Sequence, residues 1–170
     1  MKITSLINDL IDLMGIQSQE IEHYRKYPIV PIFIINMLLV IPSSILLEGN
    51  ESITFDLIFS FVFTFINAAF LMYWFGRVNI KHSYLTFLHF DIIISIAANI
   101  PVILILVVMS YFDSMPLIGF FGGIGAILYV IYMVSLNYAH STKSLEMYAF
   151  IGVLILIAPV SYTHLTLPTN

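Results

Sequence analysis

The sequence predicts an all-α fold: a polytopic transmembrane helix bundle of five spans, the fifth truncated, plus an N-terminal amphipathic helix. Three observations lead there. The 170-residue chain is 60 % hydrophobic and 9 % charged, whereas a soluble domain carries about a quarter charged residues. Too few polar residues exist to cover a water-facing surface, so lipid must solvate much of the chain. The apolar residues collect in long runs of helical length, not in the alternating stretches of about ten residues that a membrane barrel needs. Finally, all six Lys and Arg residues fall on one side of the pattern. Lys2, Arg25 and Lys26 precede the first run, Arg77 and Lys81 separate the second and third, and Lys143 separates the fourth and fifth, while the other gaps hold Glu48, Glu51 and Asp113. Cytoplasmic loops collect Lys and Arg. The expected placement is therefore multi-pass in a cytoplasmic (inner) cell membrane, with the N-terminus inside.

Residues 1–27 form the first unit, a cytoplasmic or interfacial segment. Ile3, Leu6, Ile7, Leu10, Ile11 and Met14 recur at helical spacing, with Asn8, Asp9 and Asp12 at other positions. This pattern is an amphipathic helix ended by Gly15. Its polar residues are acidic rather than basic, which favours packing against the protein over binding to anionic lipid. No short apolar core with a small-residue cleavage site follows, so no cleavable signal peptide is expected.

The membrane unit covers residues 28–159. Its first span, 28–47, holds 20 residues without a charge, enough at about 1.5 Å per residue to cross a core about 30 Å thick. Pro28 and Pro31 suit a first helical turn, and Pro42 is a kink position. The second span is 53–76, with Asp56 one turn from its outer end and Tyr73 and Trp74 at the inner interface, where amphipathic aromatics are favoured. The third is 83–109. A loop around Asp113 and Pro116 leads to the fourth, 117–137, and a loop with His140, Lys143 and Glu146 leads to the fifth.

The fifth run, 147–159, contains 13 apolar residues. That makes about 20 Å of helix, too short to span. Residues 160–170, Val-Ser-Tyr-Thr-His-Leu-Thr-Leu-Pro-Thr-Asn, look like the in-frame translation of a transposase adapter used in DNA sequencing libraries. They are expected to be a non-native tail, with the native fifth span continuing past residue 159. Tyr162 and His164 are accordingly set aside as site residues.

The candidate site is a polar seam inside the membrane. Ser60, Thr64 and Asn67 follow Asp56 at spacings of four, four and three and share one face of the second span. Asp91, Ser95 and Asn99 recur every four residues on one face of the third. Asn67 lies ten residues before Arg77 and Asp91 ten residues after Lys81. The two spans are antiparallel neighbours, so Asn67 levels with Asp91, Thr64 with Ser95 and Ser60 with Asn99. Asp91 sits about 10–12 Å into its span. An ionisable group there is a site candidate by default, whereas the bland alternative is helix-to-helix hydrogen bonding worth about 0.6 kcal/mol per bond.

Other chemistry is not encoded. The chain has no cysteine, which removes thiolate metal sites and thiol nucleophiles. His23, His82, His89 and His140 are scattered without metal-ligand spacing, and His89 lies on another helix face from Asp91. No nucleophile elbow or phosphate-binding Gly loop occurs. The net charge of −4 offers no basic stripe for nucleic acid. No catalytic residue, metal or cofactor is therefore expected. In the fourth span Gly119 and Gly123 form a GxxxG pair, and Gly122 and Ala126 repeat it one ridge over; small residues at this spacing let helices approach closely. Packing within the bundle is the expected use, and homo-oligomer formation the alternative.

The five-span layout and two local stretches resemble the Yip family, membrane proteins first known as partners of small Ypt/Rab GTPases. The stretches are Ala97-Ala98-Asn99-Ile100-Pro101, similar to that family's small-residue segment ending in proline, and Tyr138-Ala139-His140-Ser141-Thr142-Lys143, similar to its fourth-to-fifth connection. The resemblance covers about residues 20–159 and is to the compact prokaryotic branch. The acidic–aromatic–Gly-Pro motif of the eukaryotic trafficking members has no match in residues 1–27, so GTPase partnership is not implied. What the resemblance implies is a non-enzymatic membrane protein, a Yip domain that organises membranes or scaffolds membrane-protein partners. The alternative from the polar residues is a small proton- or ion-coupled transporter, or a transporter subunit, using the seam between spans two and three.

Overall fold

The structure, a computed structural model, describes residues 2–48, 53–111 and 116–166, with side chains described for 2–46, 53–111 and 121–156. Six α-helices are present among the described residues: α1 (Ile3–Met14), α2 (Ile29–Glu48), α3 (Ile53–Gly76), α4 (Tyr84–Ser110), α5 (Pro116–Thr142) and α6 (Glu146–Thr166). A short 3-10 helix, Ile21–Lys26, joins α1 to α2. Helices α2, α3, α4 and α5 are each long and apolar enough to cross a membrane, and the chain is an integral membrane protein. The loops at Glu51 and Asp113, the surroundings of Gly119, and the side chains of Glu48, Tyr162 and His164 lie outside the described residues.

Two boundaries differ from expectation. Helix α5 runs to Thr142, not Asn137. Its last turn is polar in sequence but buried by protein: Asn137, Ser141 and Thr142 are all at most 5 % exposed, and the Thr142 hydroxyl donates back to the Tyr138 carbonyl at 2.6 Å. Helix α6 begins at Glu146 and continues to Thr166, so residue 159 is no helix end. Only its stretch Glu146–Leu156 is both apolar and fully described. Helix α2 passes through Pro42 without interruption. Proline removes one backbone donor there, and the neighbouring Ser43 hydroxyl donates to the Val40 carbonyl at 2.8 Å.

Helix α4 is the hub and touches α1, α2, α3, α5 and the 3-10 helix. Apart from the row Asp91, Ser95 and Asn99 it is mostly apolar on every side, as a helix enclosed by others should be. Nearly every residue from Thr86 to Ala98 is buried. Around it, Phe55, Ile58, Phe61, Val62 and Ile66 of α3 and Ile34 and Leu38 of α2 stay exposed, the band that faces lipid. Helix α6 meets α3 at Gly152, where an added Cβ would lie 2.7 Å from Trp74 Nε1. That indole donates to the Tyr148 carbonyl at 3.1 Å.

Helix α1 packs across the end of the bundle that carries the basic residues. Leu6, Leu10 and Leu13 are buried while Ile3, Ile7 and Ile11 are exposed. The last carbonyls of a helix lack intrahelical donors; here α5 supplies them. Asn137 Nδ2 donates to Leu13 O at 2.8 Å, and the Tyr129 hydroxyl donates to Met14 O at 3.2 Å. Ile16 takes a positive φ of 59°, while its N–H bonds Leu13 O and that of Gln17 bonds Asp12 O. A β-branched residue in the left-handed region costs about 1–2 kcal/mol, offset by Ile16 packing against the core.

Asp9 fastens this segment. The sequence places it on the polar side of α1, yet it is only 9 % exposed. It accepts from the Tyr27 hydroxyl at 2.7 Å and pairs with Lys26 at 2.8 Å and His23 at 3.0 Å. Burial pushes its carboxyl up, but the hydrogen bonds from Lys26 and Tyr27 and the charges of Lys26 and His23 outweigh that and hold it below the ordinary value of 3.8. Glu22, held low by hydrogen bonds from His82 and Thr86 against burial, ties the same segment to the start of α4. A carboxylate held low in the folded state adds stability above its ordinary pKa and loses it as pH falls through the lowered value. Thermal melts in detergent from about pH 7 down to about pH 3 should therefore show the wild type losing stability below about pH 4. Asp9→Asn should start about 1–3 kcal/mol less stable and lose less over the same range. Parallel curves for the two proteins would show that Asp9 does not fasten the segment.

Candidate functional site

The six seam residues predicted from spacing, Ser60, Thr64, Asn67, Asp91, Ser95 and Asn99, all line one cavity of about 210 Å³ within the bundle. Alternation by helical turns puts them there: one face of α3 and one of α4 meet, and the polar positions on each fall on the shared side. The cavity spans about 12 Å along α4, from Asp91 to Asn99. Two further polar residues complete the lining, Asn36 from α2 and Tyr138 from α5. The remaining wall is apolar and includes Phe63, Ile94, Val130, Val134, Val153 and Leu156, so five helices contribute.

The expected innermost pair, Asn67 with Asp91, is not hydrogen-bonded. Asp91 Oδ1 accepts from the Tyr138 hydroxyl at 2.9 Å instead. Equal depth on neighbouring helices sets level but not direction, and α5 presents a longer side chain at that level. Asp91 is 5 % exposed and Tyr138 is 1 % exposed, so the contact lies out of reach of bulk solvent. The Thr64 hydroxyl donates to its own helix, to Ser60 O at 2.8 Å. Among the described residues, three buried oxygens that belong to cavity-lining residues have no hydrogen-bond partner: Asn36 Oδ1, Asn67 Oδ1 and Asp91 Oδ2. An unsatisfied buried polar group costs about 1–3 kcal/mol, and natural proteins leave few.

A chain of rings leads from Tyr138 toward the basic end of the bundle. Tyr138 meets Phe90 edge-on at 4.9 Å between centroids, and Phe90 meets Tyr24 of the 3-10 helix at 5.0 Å. Burial pushes the Tyr24 hydroxyl up to about 12, so it stays uncharged, and it accepts from the Gln19 N–H at 3.1 Å. Toward the other end, the Ser44 hydroxyl of α2 donates to Asp56 Oδ2 at 2.5 Å. Asp56 is thus engaged by a neighbouring helix rather than merely solvated.

The small residues of α5 divide. An added Cβ at Gly122 would lie 3.1 Å from Met109 Sδ of α4, and Ala126 is buried, so this ridge packs inside the bundle. Gly123 would meet nothing within 4 Å. The His89 ring pairs with its own Leu85 carbonyl at 2.7 Å and takes no part in the cavity. Among the described residues, no three His, Asp or Glu side chains cluster as metal ligands. No family model, curated protein or solved structure matches the chain.

Asn36 and Tyr138 escape a reading by spacing. Asn36 is an isolated amide in an otherwise apolar stretch of α2, with no polar neighbour a turn away. Tyr138 lies five residues before Lys143 and reads as an interfacial aromatic. The signal for Asn36 was its isolation itself, because an amide facing lipid is costly.

The Asp91–Tyr138 bond is open to a double-mutant cycle. Tyr138→Phe should cost about 1 kcal/mol of stability, between the membrane average and the larger value for bonds to buried carboxyls. In an Asp91→Asn background the same change should cost about half of that or less. Additive losses would show that the two side chains are not coupled.

Proposed function

We propose that this protein is a small membrane transport unit, or a subunit of one, that passes a proton or ion through the cavity between α2, α3, α4 and α5. The observation that supports this reading is the cavity itself, lined by Asp91, Asn36 and Asn67, each of which carries a buried oxygen without a partner among the described residues. Hydrogen bonding that served only to hold helices together would consume those groups. Polar side chains deep in a membrane protein are costly and gather along ion or substrate paths. In this reading Asp91 is the carrier group, Tyr138 orients it, and Asn67, Ser95, Thr64, Asn99 and Ser60 line the way toward the Asp56 end. The chain sits in the cytoplasmic membrane with its basic end inside, following the bias of its Lys and Arg residues, and no bond-making step is involved.

A second reading is scaffolding of membrane partners or a homo-oligomer, as the Yip resemblance implies. The open surface at Gly123 is the specific observation in its favour, since small residues at a lipid-facing position admit another helix.

Reconstitution separates the two. Protein in sealed vesicles under an imposed ion gradient should support proton-linked flux well above that of empty vesicles, and Asp91→Asn should abolish it while the Ile66→Ala variant, altered on the lipid face, keeps it. Melting curves run in parallel show whether each variant is folded. Flux indistinguishable from empty vesicles with folded wild-type protein, or flux unchanged in Asp91→Asn, would rule out the transport reading.

A further inference from the structure

We infer that the cavity is a binding site for a single monovalent cation, an alkali-metal ion or a small primary ammonium, held by Asp91, Asn36 and Asn67. The inference rests on the transport reading of the same cavity and names what occupies it.

The balance of donors and acceptors selects the sign of the charge. Among the described residues, no Lys, Arg or His lines the cavity. The hydroxyl donors whose bonds are fixed are already spent, Tyr138 on Asp91 and Thr64 on the Ser60 carbonyl. What remains free and buried is oxygen: Oδ2 of Asp91 and Oδ1 of both Asn36 and Asn67. Asn36 and Asp91 are at most 5 % exposed, so water outside the protein cannot satisfy them. An anion would sit beside the Asp91 carboxyl, and the donors that line the cavity, the amide N–H groups of the asparagines and the hydroxyls of Ser60 and Ser95, carry no positive charge to offset it. A neutral donor-bearing solute would satisfy the amides but bring no charge to pair with the carboxylate form of Asp91.

The donor set then selects the kind of cation. All the free groups are hard oxygens, which suits alkali ions and ammonium and not soft metals. Calcium sites generally draw on several carboxylates, and this cavity has one. One carboxylate against one positive charge leaves the buried site neutral. The volume of about 210 Å³ is several times the space needed for a single water, so a partly hydrated ion or an ammonium with a short alkyl group fits.

A coordinated cation needs ligands from several directions, and α2 contributes one residue, Asn36, to the lining.

The test is a titration of the detergent-purified full chain with NaCl, KCl or methylammonium chloride, each replaced at constant ionic strength by the bulky cation N-methylglucamine. Melting temperature and calorimetric heat are the readouts, because a ligand bound only by the folded state stabilises it in a saturable way. A saturable response to at least one of the three is expected, and the responding salt identifies the ion as metal or ammonium. Affinity should fall about tenfold or more in Asn36→Leu and Asn67→Ala and vanish in Asp91→Asn. Should Asp91→Asn fail to fold, the two amide variants carry the test. Lack of a saturable response in folded wild-type protein, or the same response in wild type and variants, would overturn the inference. Proton flux without cation binding would sink this inference and leave the transport reading standing. Cation binding without flux would do the reverse.

Discussion

A carboxyl group held inside a helix bundle constrains everything near it. Asp91 sits on the most enclosed helix, and its one fixed partner is the Tyr138 hydroxyl on α5. In lipid, backbone groups are satisfied by the helices themselves, so each side-chain polar group inside the bundle must find a neighbour or an occupant. That requirement aligns α3, α4 and α5, turns Asn36 of α2 inward, and keeps a hollow where ordinary cores close to high packing density. An apolar core would be simpler to pack. The hollow exists because the groups around it carry more hydrogen-bonding capacity than they can use on one another.

The N-terminal segment is part of the same construction. Asp9 fixes α1 to the residues just before α2, while Asn137 and Tyr129 cap the end of α1 from α5. Asn137 adjoins Tyr138, and Tyr24 packs on Phe90, which packs on Tyr138. One continuous chain of contacts thus runs from the basic end of the molecule to the carboxyl in the cavity. Glu20 pairs with Lys143 and Glu22 with His82, so the acidic residues of the segment meet the basic loops of the bundle. The charges that mark one side of the chain in sequence also hold its end closed.

Much of this was legible before any coordinates. Residue runs of membrane length gave α2 to α5 within a few residues, because an element buried in lipid has no other way to bond its backbone. A spacing of four placed Ser60 with Thr64 and Asp91 with Ser95, and equal distance from Arg77 and Lys81 brought the two rows level. Direction around the helix axis was harder. Nothing in spacing tells that α5 offers Tyr138 to Asp91, or that Asn36 faces inward, since each is a single polar residue whose orientation depends on how its whole helix is rotated. The burial of Asp9 is hidden for a related reason: helical spacing sets it off the apolar stripe of α1, and the residues before α2, Tyr27 and Lys26, close over it. The last turn of α5, expected as loop, is helical and buried, with Asn137 bonded to the end of α1.

On the proposed transport reading, ions pass from water into the polar cavity beside Asp91. The chain contains no cysteine, so a single introduced thiol reports one position alone. Ser95→Cys keeps size and places that thiol on the cavity wall, and Ile66→Cys places it on the lipid-facing side of α3. Only an ionised, hydrated thiol reacts well with a cationic methanethiosulfonate reagent. In sealed vesicles the Ser95 position should react about tenfold or more faster than the Ile66 position, and the bound cation should slow it. Equal, negligible reaction at both positions, with a loop cysteine labelled normally, would contradict the account.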